Sequence, residues 1–412
     1  MWAVHYSRVL VGLSLVAGTA MFLLVTRGSQ PRESPPDLRM RVRVVALVAL
    51  VGGLAMTLSA DSVPIRLLSQ RSSALVPVSR WRQLFDRDAA HLDEDSVVRS
   101  RSRDSRDFYT LAYAIDAFTA MYEATGLTEY LDRALAYVDG MISSARPSVS
   151  LPSSSFHDGY LGWVSQQQGT DHDEVPLYES YAWRYVSRML RGIREGPLHA
   201  DPDYRAHYEQ LLRFTEINIF EKWYTRGANN FIYRNRTHMA SHWAYIAHEL
   251  VILTSDEQRR ARYRTVAENI DHHLPNYDSS LRGQLRASEN DPDAYWWSDV
   301  WGEIIGPGQD IAHGNGVVSY IVEAHDSGGG WTDTDMARFC QTLTTLVIGS
   351  NGEYPEYVDG SGSGNGWLAD GFVKLGRYDE RVQLKLQDYG VQNAQFYSAM
   401  AVNARILTRG GK

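Results

Sequence analysis

A run of paired helical segments begins near residue 107 and continues almost to the end of the chain. Apolar residues recur at helical spacing in DFYTLAYAIDAFTAMYEATG (107–126), and a second periodic segment, TEYLDRALAYVDGMIS (128–143), follows almost at once. Similar pairs start near residues 177, 237, 310 and 364. In each pair the first segment is apolar and rich in small residues, whereas the second carries more charge. This pattern predicts helical hairpins with a buried first helix and a half-exposed second helix.

Such hairpins bury their apolar helices efficiently when they close around an axis, with the first helices inside and the second helices outside. We therefore predict an all-α fold, an (α/α) toroid of five to seven hairpins, incomplete or closed, over residues 107–412. A superhelical solenoid is the competing layout. The hairpins share no residue-level consensus, which favours the toroid over a regular repeat array.

Two hydrophobic segments, at 9–25 and 44–58, precede the hairpins. Residues 40–60 have a basic start, a short apolar stretch and an end in small residues, which is the layout of a secretory signal peptide. No cysteine lies at the expected cleavage site, so a lipoprotein anchor is not indicated.

Translation is accordingly expected to start at Met40, with residues 1–39 as an upstream extension and residues 61–106 as an N-terminal helix and linker. The expected location is secreted or periplasmic, with no stable membrane partner once the signal is removed. A membrane anchor built from both hydrophobic segments is the alternative.

Composition limits the partners of the chain. Its 412 residues carry a net charge of −8, so no nucleic-acid partner is expected, and an anionic substrate would need a local basic patch. Eleven Trp and twenty-four Tyr provide many flat side chains that can stack on sugar rings. The single cysteine, Cys340, lies in an apolar helical segment and is predicted to be a small buried side chain.

The segment RTHMASHWAYIAHEL concentrates histidine on one predicted inner helix. At about 100° per residue, one helix face carries His238, His242, Tyr245 and Glu249. Three interpretations are open: a zinc site, satisfied polar residues in a core, or acid–base groups. The spacing HxxxH is permitted for zinc, but the glutamate of HExxH is absent.

The preceding segment, KWYTRGANNFIYRNRTH (222–238), is basic and rich in amides, and it contains no Asp or Glu. Arginine can pair with a carboxylate in a bidentate way, and an asparagine amide can hydrogen-bond one without adding charge. Such a segment beside a His/Tyr helix favours an anion pocket over a metal site, with a solvated basic loop as the simpler alternative. β-Elimination from a uronic acid needs a neutralised carboxylate, a base for the C5 proton and an acid for the leaving oxygen.

An Asn-Asn pair followed by His and Tyr on an inner toroid helix resembles the (α/α) toroid polysaccharide lyases that act on alginate and glucuronan. The likeness covers the architecture of residues 107–407 and the run ANNFIYRNRTHMASHWAY. In the alginate-lyase pattern the histidine directly follows the paired asparagines, whereas Phe231 does so here, and this leaves open which histidine is the base. The resemblance implies carboxylate neutralisation by Asn229 or Asn230 and proton transfer by His238 or His242 with Tyr245.

A second candidate region is DPDAYWWSDVWGEIIGPGQDIAHGNGVVSY (291–320). Its aromatic run offers stacking platforms at Trp296 and Trp297 and a hydroxyl at Tyr295. His313 falls in the first turn of the next predicted helix, where the positive helix end disfavours the protonated form and suits a base. A capped helix with a core histidine is the alternative.

A third region, NGEYPEYVDGSGSGNGWLADGF (351–372), is predicted to be a flexible loop over the rim of the toroid, anchored by Trp367. Calcium binding by Asp359, Asn365 and Asp370 is conceivable, but the spacing fits no EF-hand. We expect no metal or other cofactor, with zinc at the histidine helix and calcium in this loop as the alternatives.

These observations predict a lyase that cleaves a uronate-containing, acidic polysaccharide by β-elimination. The predicted catalytic residues are Asn230, His238, His242, Tyr245, Tyr295 and His313. The predicted substrate-binding residues are Asn229, Arg234, Arg236, Tyr178, Glu179, Trp296, Trp297 and Trp367. One alternative is a toroid glycoside hydrolase, which needs two carboxylic acids, drawn from Glu179, Asp299, Glu303, Asp310 and Asp370. A non-catalytic glycan-binding toroid is the other.

Overall fold

The computed structural model describes residues 74–302, 306–349 and 353–410. The predicted extension and signal peptide lie outside the described residues. Within those three ranges, no helix combines the length and the apolar character needed to cross a membrane.

The described chain is built from helices joined by loops. The α-helices are α1 Val78–Ser100, α2 Ser105–Thr125, α3 Thr128–Ser144, α4 Pro176–Glu195, α5 Pro202–Phe214, α6 Lys222–Phe231, α7 Thr237–Leu253, α8 Glu257–His272, α9 Leu281–Gln284, α10 Ile311–Asp326, α11 Asp333–Thr342, α12 Glu380–Gln387 and α13 Ala394–Gly410. The other helical turns are the 3₁₀ segments Ser148–Ser150, Pro197–Ala200 and Phe372–Arg377 and the π-helical segments Thr215–Glu221 and Leu343–Val347. The strands are β1 Arg146–Pro147 paired antiparallel with β2 Leu161–Gly162, and β3 Arg286–Ala287 paired antiparallel with β4 Tyr295–Trp296.

Six elements form an inner ring in which each packs on the next. In order around the ring they are α2, α4, α7, α10, the 3₁₀ segment Phe372–Arg377 and α13, and α13 packs on α2 to close the circle. The outer partners are α3, α5, α8, α11, α12 and α1, each packed on at least one inner element. The prediction of an all-α toroid is confirmed, and a solenoid is excluded because the last inner helix contacts the first.

The closing contact joins the two ends of the described chain. Helix α1 packs on both α13 and α2, so it occupies the outer position beside the last inner helix. Just before α1, the backbone N–H of Val76 donates to Oε1 of Gln387 at 2.7 Å. Helix α1, which lies within the stretch predicted as an N-terminal helix and linker, therefore contributes a wall of the toroid.

Local signals set the bounds of several helices. Asp104 accepts from the backbone N–H of Arg106 at the start of α2, and Gly126 ends that helix with φ 77°. Helix α11 begins with a capping box between Thr332 and Asp335. Each of these caps is formed by residues within a few positions of the helix end.

One predicted inner helix is largely absent. The sequence pattern favours a helix over residues 364–376, but the chain forms only the 3₁₀ segment Phe372–Arg377 there. Gly366 has φ 74°, a left-handed conformation that a helix cannot use. A Cβ on Gly371 would lie 2.0 Å from the carbonyl oxygen of Asn315. The backbone is therefore pressed against α10 and replaces a full helix in the ring.

The interior of the ring is charged as well as apolar. Arg188 pairs with Asp116 at 2.7 Å, and Lys374 reaches the same carboxylate at 3.2 Å. Arg184 pairs with Asp370 at 2.6 Å. All five side chains are almost inaccessible to solvent, so each charge relies on its partner for solvation.

Cys340 is buried, as predicted, with its Sγ 3.5 Å from the carbonyl oxygen of Leu375. It lies at the edge of a cleft of about 790 Å³ between α11 and α12 on the outer wall. That cleft is lined mainly by side chains of α11, α12 and the residues beside them, among them Tyr378 at the end of the inner 3₁₀ segment.

A buried carboxylate between α8 and α10 is expected to make folding stability depend on pH. Burial raises the pKa of Asp271 to about 7, although the hydroxyl of Tyr320 donates to its Oδ2 at 2.8 Å. A raised carboxyl pKa means that the folded state holds the proton more tightly, so this contribution is present at low pH and lost as the pH rises through 7. Between pH 5 and 8, Asp271→Asn is expected to gain stability relative to the parent chain, on the order of 1–2 kcal/mol.

Urea unfolding at the two pH values measures this change. Asp278→Asn, an exposed carboxylate on the following loop, is the control for losing one negative charge. A difference between parent and Asp271→Asn that stays constant with pH would contradict the assignment.

Candidate active site

The first turns of the inner helices meet at one end of the toroid, which we call the mouth. The backbone N–H of Thr237, at the start of α7, donates to the carbonyl oxygen of Asp299 at 2.7 Å. Asp310 is the N-cap of α10 and accepts from the backbone N–H of His313 at 3.0 Å. Two loop carboxylates are thereby fixed beside the N-terminal ends of neighbouring inner helices.

Two histidine–aspartate pairs face each other there, and we call these four residues the mouth cluster. Nδ1 of His238 lies 3.2 Å from Oδ1 of Asp299, and Nδ1 of His313 lies 2.8 Å from Oδ2 of Asp310. The two imidazole rings are 4.4 Å apart. His238 is buried, whereas the side chains of Asp299, Asp310 and His313 keep 26%, 31% and 47% of their surface exposed. The cluster therefore joins buried and solvent-reaching titratable groups.

The neighbours of the cluster set its charge state. Burial alone would raise the pKa of both carboxyls, but contacts with the histidines, and with Arg236 at Asp299, lower both below their ordinary values. The hydrogen bond with Asp310 raises the pKa of His313, and burial lowers that of His238. The mouth thus combines two carboxylates, a histidine whose protonated form is stabilised by Asp310 and a histidine whose protonated form is disfavoured by burial.

His242 lies one turn below His238 and is fully buried. Burial and the charge of Arg184 hold its pKa well below the ordinary value, so the ring is neutral. Among the described residues, its Nδ1 and the Nη1 of Arg184 have no hydrogen-bond partner. These two groups form the polar floor under the cluster.

An aromatic wall, Tyr109, Tyr113, Tyr181 and Trp367, stands beside the floor. The rings of Tyr109 and Tyr181 stack with centroids 3.9 Å apart, and Trp367 meets Tyr113 edge-on at 5.1 Å. The ring of Tyr181 also lies 5.0 Å from that of His242, which joins the wall to the floor. Because Tyr109, Tyr113 and Trp367 are half-buried, part of each ring remains available for contact.

The position of His242 depends on a glycine of α10. A Cβ on Gly316 would lie 2.8 Å from Nε2 of His242 and 3.5 Å from Nη1 of Arg184. Both side chains are fully buried and have no room to yield. Gly316→Ala is therefore expected to cost about 1–3 kcal/mol of stability through overpacking.

Chemical denaturation of Gly316→Ala beside Gly192→Ala tests this expectation. Gly192 lies in α4, and its nearest neighbour for an added Cβ is Oε1 of Glu123 at 4.0 Å. That control is expected to be neutral or stabilising by up to about 1 kcal/mol. Equal stabilities of the two variants would show that the space beside His242 is not restricted.

The structure brings part of the predicted site together. His238, His242 and His313 lie in or directly below the mouth cluster, and Arg236 forms an ion pair with Asp299. Tyr178 is near the wall, with its ring 6.1 Å from that of Tyr109 and its hydroxyl donating to Gln167.

The predicted asparagines and Arg234 have their described contacts away from the mouth cluster. Asn229 and Asn230 are exposed on α6, where the carbonyl oxygen of Asn229 accepts from Asn276. The backbone carbonyl oxygen of Arg234 accepts a hydrogen bond from the indole N–H of Trp301. Burial lowers the pKa of the Arg234 guanidinium. Neither asparagine side chain touches the mouth cluster among the described contacts.

Other predicted site residues are held by partners away from the cluster. The hydroxyl of Tyr245 is buried and donates to Glu323 at 3.0 Å, and that of Tyr295 faces Asp335 of α11 at 3.3 Å. Glu179 is fully buried and pairs with Lys222 at 2.7 Å. Each of these groups is therefore engaged within the protein.

The two predicted stacking tryptophans of the second region differ in exposure. Trp297 is fully buried, and its indole donates to Gln309 at 2.6 Å. Trp296 is half-buried, and Gly308 approaches it so closely that an added Cβ would lie 3.0 Å from its ring.

Three of the carboxylates considered for hydrolysis can be placed against the mouth. Asp299 and Asp310 reach solvent there, whereas Asp370 is buried beneath it on Arg184. Glu303 lies outside the described residues. Across residues 74–302, 306–349 and 353–410, no group of three or more His, Cys, Asp or Glu side chains is arranged to hold a metal ion.

Sequence reasoning missed Gln309 and most of the aromatic wall. Tyr109 and Tyr113 are four residues apart on α2, a spacing that puts both on one helix face and was a usable signal. Gln309 carries no such signal, because its partners, Trp297, His238 and Asp299, come from other segments.

Comparisons with known proteins were made at the level of sequence and of structure. Neither a protein-family model nor a curated protein sequence matches the chain. The structure is similar to that of the GH76A alpha-1,6-mannanase from Salegentibacter sp. HEL1_6, with a TM-score of 0.44, 13% identity, and coverage of 79% of this chain and 99% of that one. An inactive variant of that mannanase in complex with alpha-1,6-mannotetrose gives a TM-score of 0.43 and 12% identity, again with coverage of 79% of this chain and 99% of that one.

The prediction of a uronate lyase acting on an acidic polysaccharide is wrong. The proteins of similar structure are mannanases, which are glycoside hydrolases. The geometry supplies a physical reason, because two of the three arginines in the basic segment are already paired with carboxylates of the protein. Arg226 is engaged with Asp158 at 2.9 Å and with Glu174 at 3.1 Å, and Arg236 is engaged with Asp299.

Proposed function

We propose that the protein is a glycoside hydrolase that cleaves a glycosidic bond of an oligo- or polysaccharide at the mouth of the toroid. The observation that carries this proposal is that Asp299 and the His313–Asp310 pair reach solvent together at the mouth, above the floor that contacts the aromatic wall. Glycosidases generally use two carboxyl groups, one that protonates the leaving oxygen and one that acts on the reacting sugar. In this proposal the His313–Asp310 pair takes the first role and Asp299 takes the second.

The proton donor in this proposal is His313. Its Nδ1 is held by Asp310, so its Nε2 carries the proton that can be given up. The carboxylate of Asp310 stabilises the imidazolium and orients the ring, as a carboxylate does for a catalytic histidine elsewhere. After transfer of the proton to the glycosidic oxygen, the C–O bond breaks and the sugar alcohol leaves.

Asp299 is the second group. Its lowered pKa keeps it ionised in the neutral range, and Arg236 adds a positive charge beside it. An ionised carboxylate can attack the anomeric carbon or take a proton from the attacking water. The aromatic wall would hold the sugar ring by stacking, worth roughly 1 kcal/mol per ring beyond the buried area.

A substrate panel tests the proposal. The purified protein is incubated with alpha-1,6-mannan, other neutral glycans and a uronate polysaccharide, with and without a chelator. Release of reducing ends without ultraviolet absorbance from unsaturated uronates is the expected result, and the chelator arm tests the expectation of cofactor-free chemistry. Binding of a glycan with no cleavage on any substrate would favour the glycan-binding alternative.

Export is part of the proposal and rests on the signal-peptide layout of residues 40–60. N-terminal sequencing of the protein recovered outside the cytoplasm tests it. A mature chain that still carries residues before Met40 would contradict it.

A further inference from the structure

Gln309 has one orientation that its neighbours permit. Its side chain is fully buried, and its Oε1 lies 2.6 Å from Nε1 of Trp297. An indole nitrogen only donates hydrogen bonds, so the atom facing it must be the amide oxygen. The amide NH₂ group of Gln309 is thereby turned toward the mouth cluster.

That NH₂ group meets two acceptors. Nε2 of Gln309 lies 2.9 Å from Nδ1 of His238 and 3.3 Å from Oδ1 of Asp299. An amide nitrogen donates and does not accept, so Nδ1 of His238 must present its lone pair. One amide hydrogen goes to the imidazole and the other goes to the carboxylate.

The short distance between His238 and Asp299 then has a different meaning. Nδ1 and Oδ1 are 3.2 Å apart, but both accept from the same NH₂ group, so the pair is bridged rather than ion-paired. The guanidinium of Arg236 is then the group that holds the pKa of Asp299 below its ordinary value. A proton on Nδ1 would instead place two donors face to face at 2.9 Å.

The surrounding charges agree with a neutral ring. Asp299 is already compensated by Arg236, and Asp310 by His313. A second imidazolium at His238 would lie 4.4 Å from that of His313, ring centre to ring centre, and the two positive charges would repel. From below, neutral His242 and the guanidinium of Arg184 add no negative charge.

We infer that Gln309, oriented by Trp297, holds His238 as the neutral tautomer with its proton on Nε2. His238 is then a hydrogen-bond donor and not a general base, which leaves Asp299 as the basic group beside it. Gln309 is a positioning residue that acts through His238. Donation from Nε2 to a sugar oxygen rests on the proposed function, whereas the tautomer does not.

Nitrogen NMR of the substrate-free protein, labelled with ¹⁵N-histidine, tests the tautomer directly. The His238 signals are identified by their loss in His238→Asn. At neutral pH the expected spectrum shows a protonated Nε2 and an unprotonated Nδ1 for this ring. A proton on Nδ1, or on both nitrogens, would overturn the inference even if hydrolase activity is found.

Two variants separate the roles of the amide and the indole. Gln309→Leu removes the NH₂ group, so Nδ1 of His238 can donate to Asp299, and the proton is expected to move to Nδ1 or to occupy both nitrogens. Trp297→Phe removes the group that orients the amide and is expected to give a mixture of tautomers. His207, which faces Asp139 on the outer wall at 2.7 Å, is the internal control and is expected to stay unchanged. A His238 spectrum unchanged in Gln309→Leu would also overturn the inference.

Discussion

Asp299→Asn is expected to lower kcat/KM on a cleaved glycan by 10²–10⁴-fold, on the order of the contribution of a positioned acid–base group. The amide keeps the shape of the side chain but removes the negative charge that the reacting sugar requires.

Asp310→Asn is expected to act through His313. Since the hydrogen bond with Asp310 is the main cause of the raised pKa of His313, the variant lowers that pKa. The alkaline limb of the pH–rate profile is therefore expected to move to lower pH.

A matched control lies on the outer wall. Asp139 of α3 and His207 of α5 also form a histidine–aspartate pair, with Oδ1 and Nε2 2.7 Å apart. This pair is partly exposed and lies away from the mouth. Asp139→Asn is expected to leave kcat/KM and its pH dependence unchanged. If Asp299→Asn and Asp139→Asn had equal activity, the proposed role of the mouth cluster would be wrong, whatever the substrate.

Asp370→Asn is expected to destabilise the fold by about 3–5 kcal/mol, the range for breaking a buried ion pair. The carboxylate and Arg184 are 1% and 0% exposed, and their closest atoms are 2.6 Å apart. Asp370 also accepts hydrogen bonds from Tyr181, Tyr185 and Gln395. Loss of its charge leaves the guanidinium without compensation in the interior. Urea or guanidinium unfolding, followed by circular dichroism, measures the change.

The surface pair of Arg82 and Asp86 offers the control. These side chains are 46% and 44% exposed, so Arg82→Ala is expected to change stability by no more than about 1 kcal/mol. Combining Asp370→Asn with Arg184→Met removes the uncompensated charge, and the double variant is expected to be less destabilised than the sum of the two single variants. Additive effects would mean that the two groups do not stabilise each other.

The toroid could be predicted because its signal is local and repeated. Helix periodicity needs only neighbours three and four residues apart, and terminators such as Gly126 at the end of α2 are equally local. The predicted helix over residues 364–376 is interrupted, because Gly366 adopts a left-handed conformation that a helix cannot continue through. The ring closure by α13 on α2 involves residues separated by most of the chain and has no local signature.

The candidate site was harder to predict because its charges are paired over long sequence distances. Residues 222–238 hold no carboxylate, and the sequence therefore indicated an anion site. In the folded chain Arg226 meets Asp158, 68 positions away, and Arg236 meets Asp299, 63 positions away. The net charge of a segment does not predict an anion site when carboxylates from distant loops pair with its arginines in the folded chain. Helix phase, in contrast, correctly placed His238 and His242 on one side of α7.

The closing contact between α13 and the first two helices has a consequence for synthesis. Until residues 394–410 have left the ribosome, α1 and α2 have no partner on the side where α13 packs. Trp81 of α1, whose ring stacks on that of Tyr397 in α13 with centroids 6.2 Å apart, then waits through about three hundred residues of translation. The fold is thus completed by its last helix, and a nascent chain of this protein depends on protection from aggregation until that helix arrives.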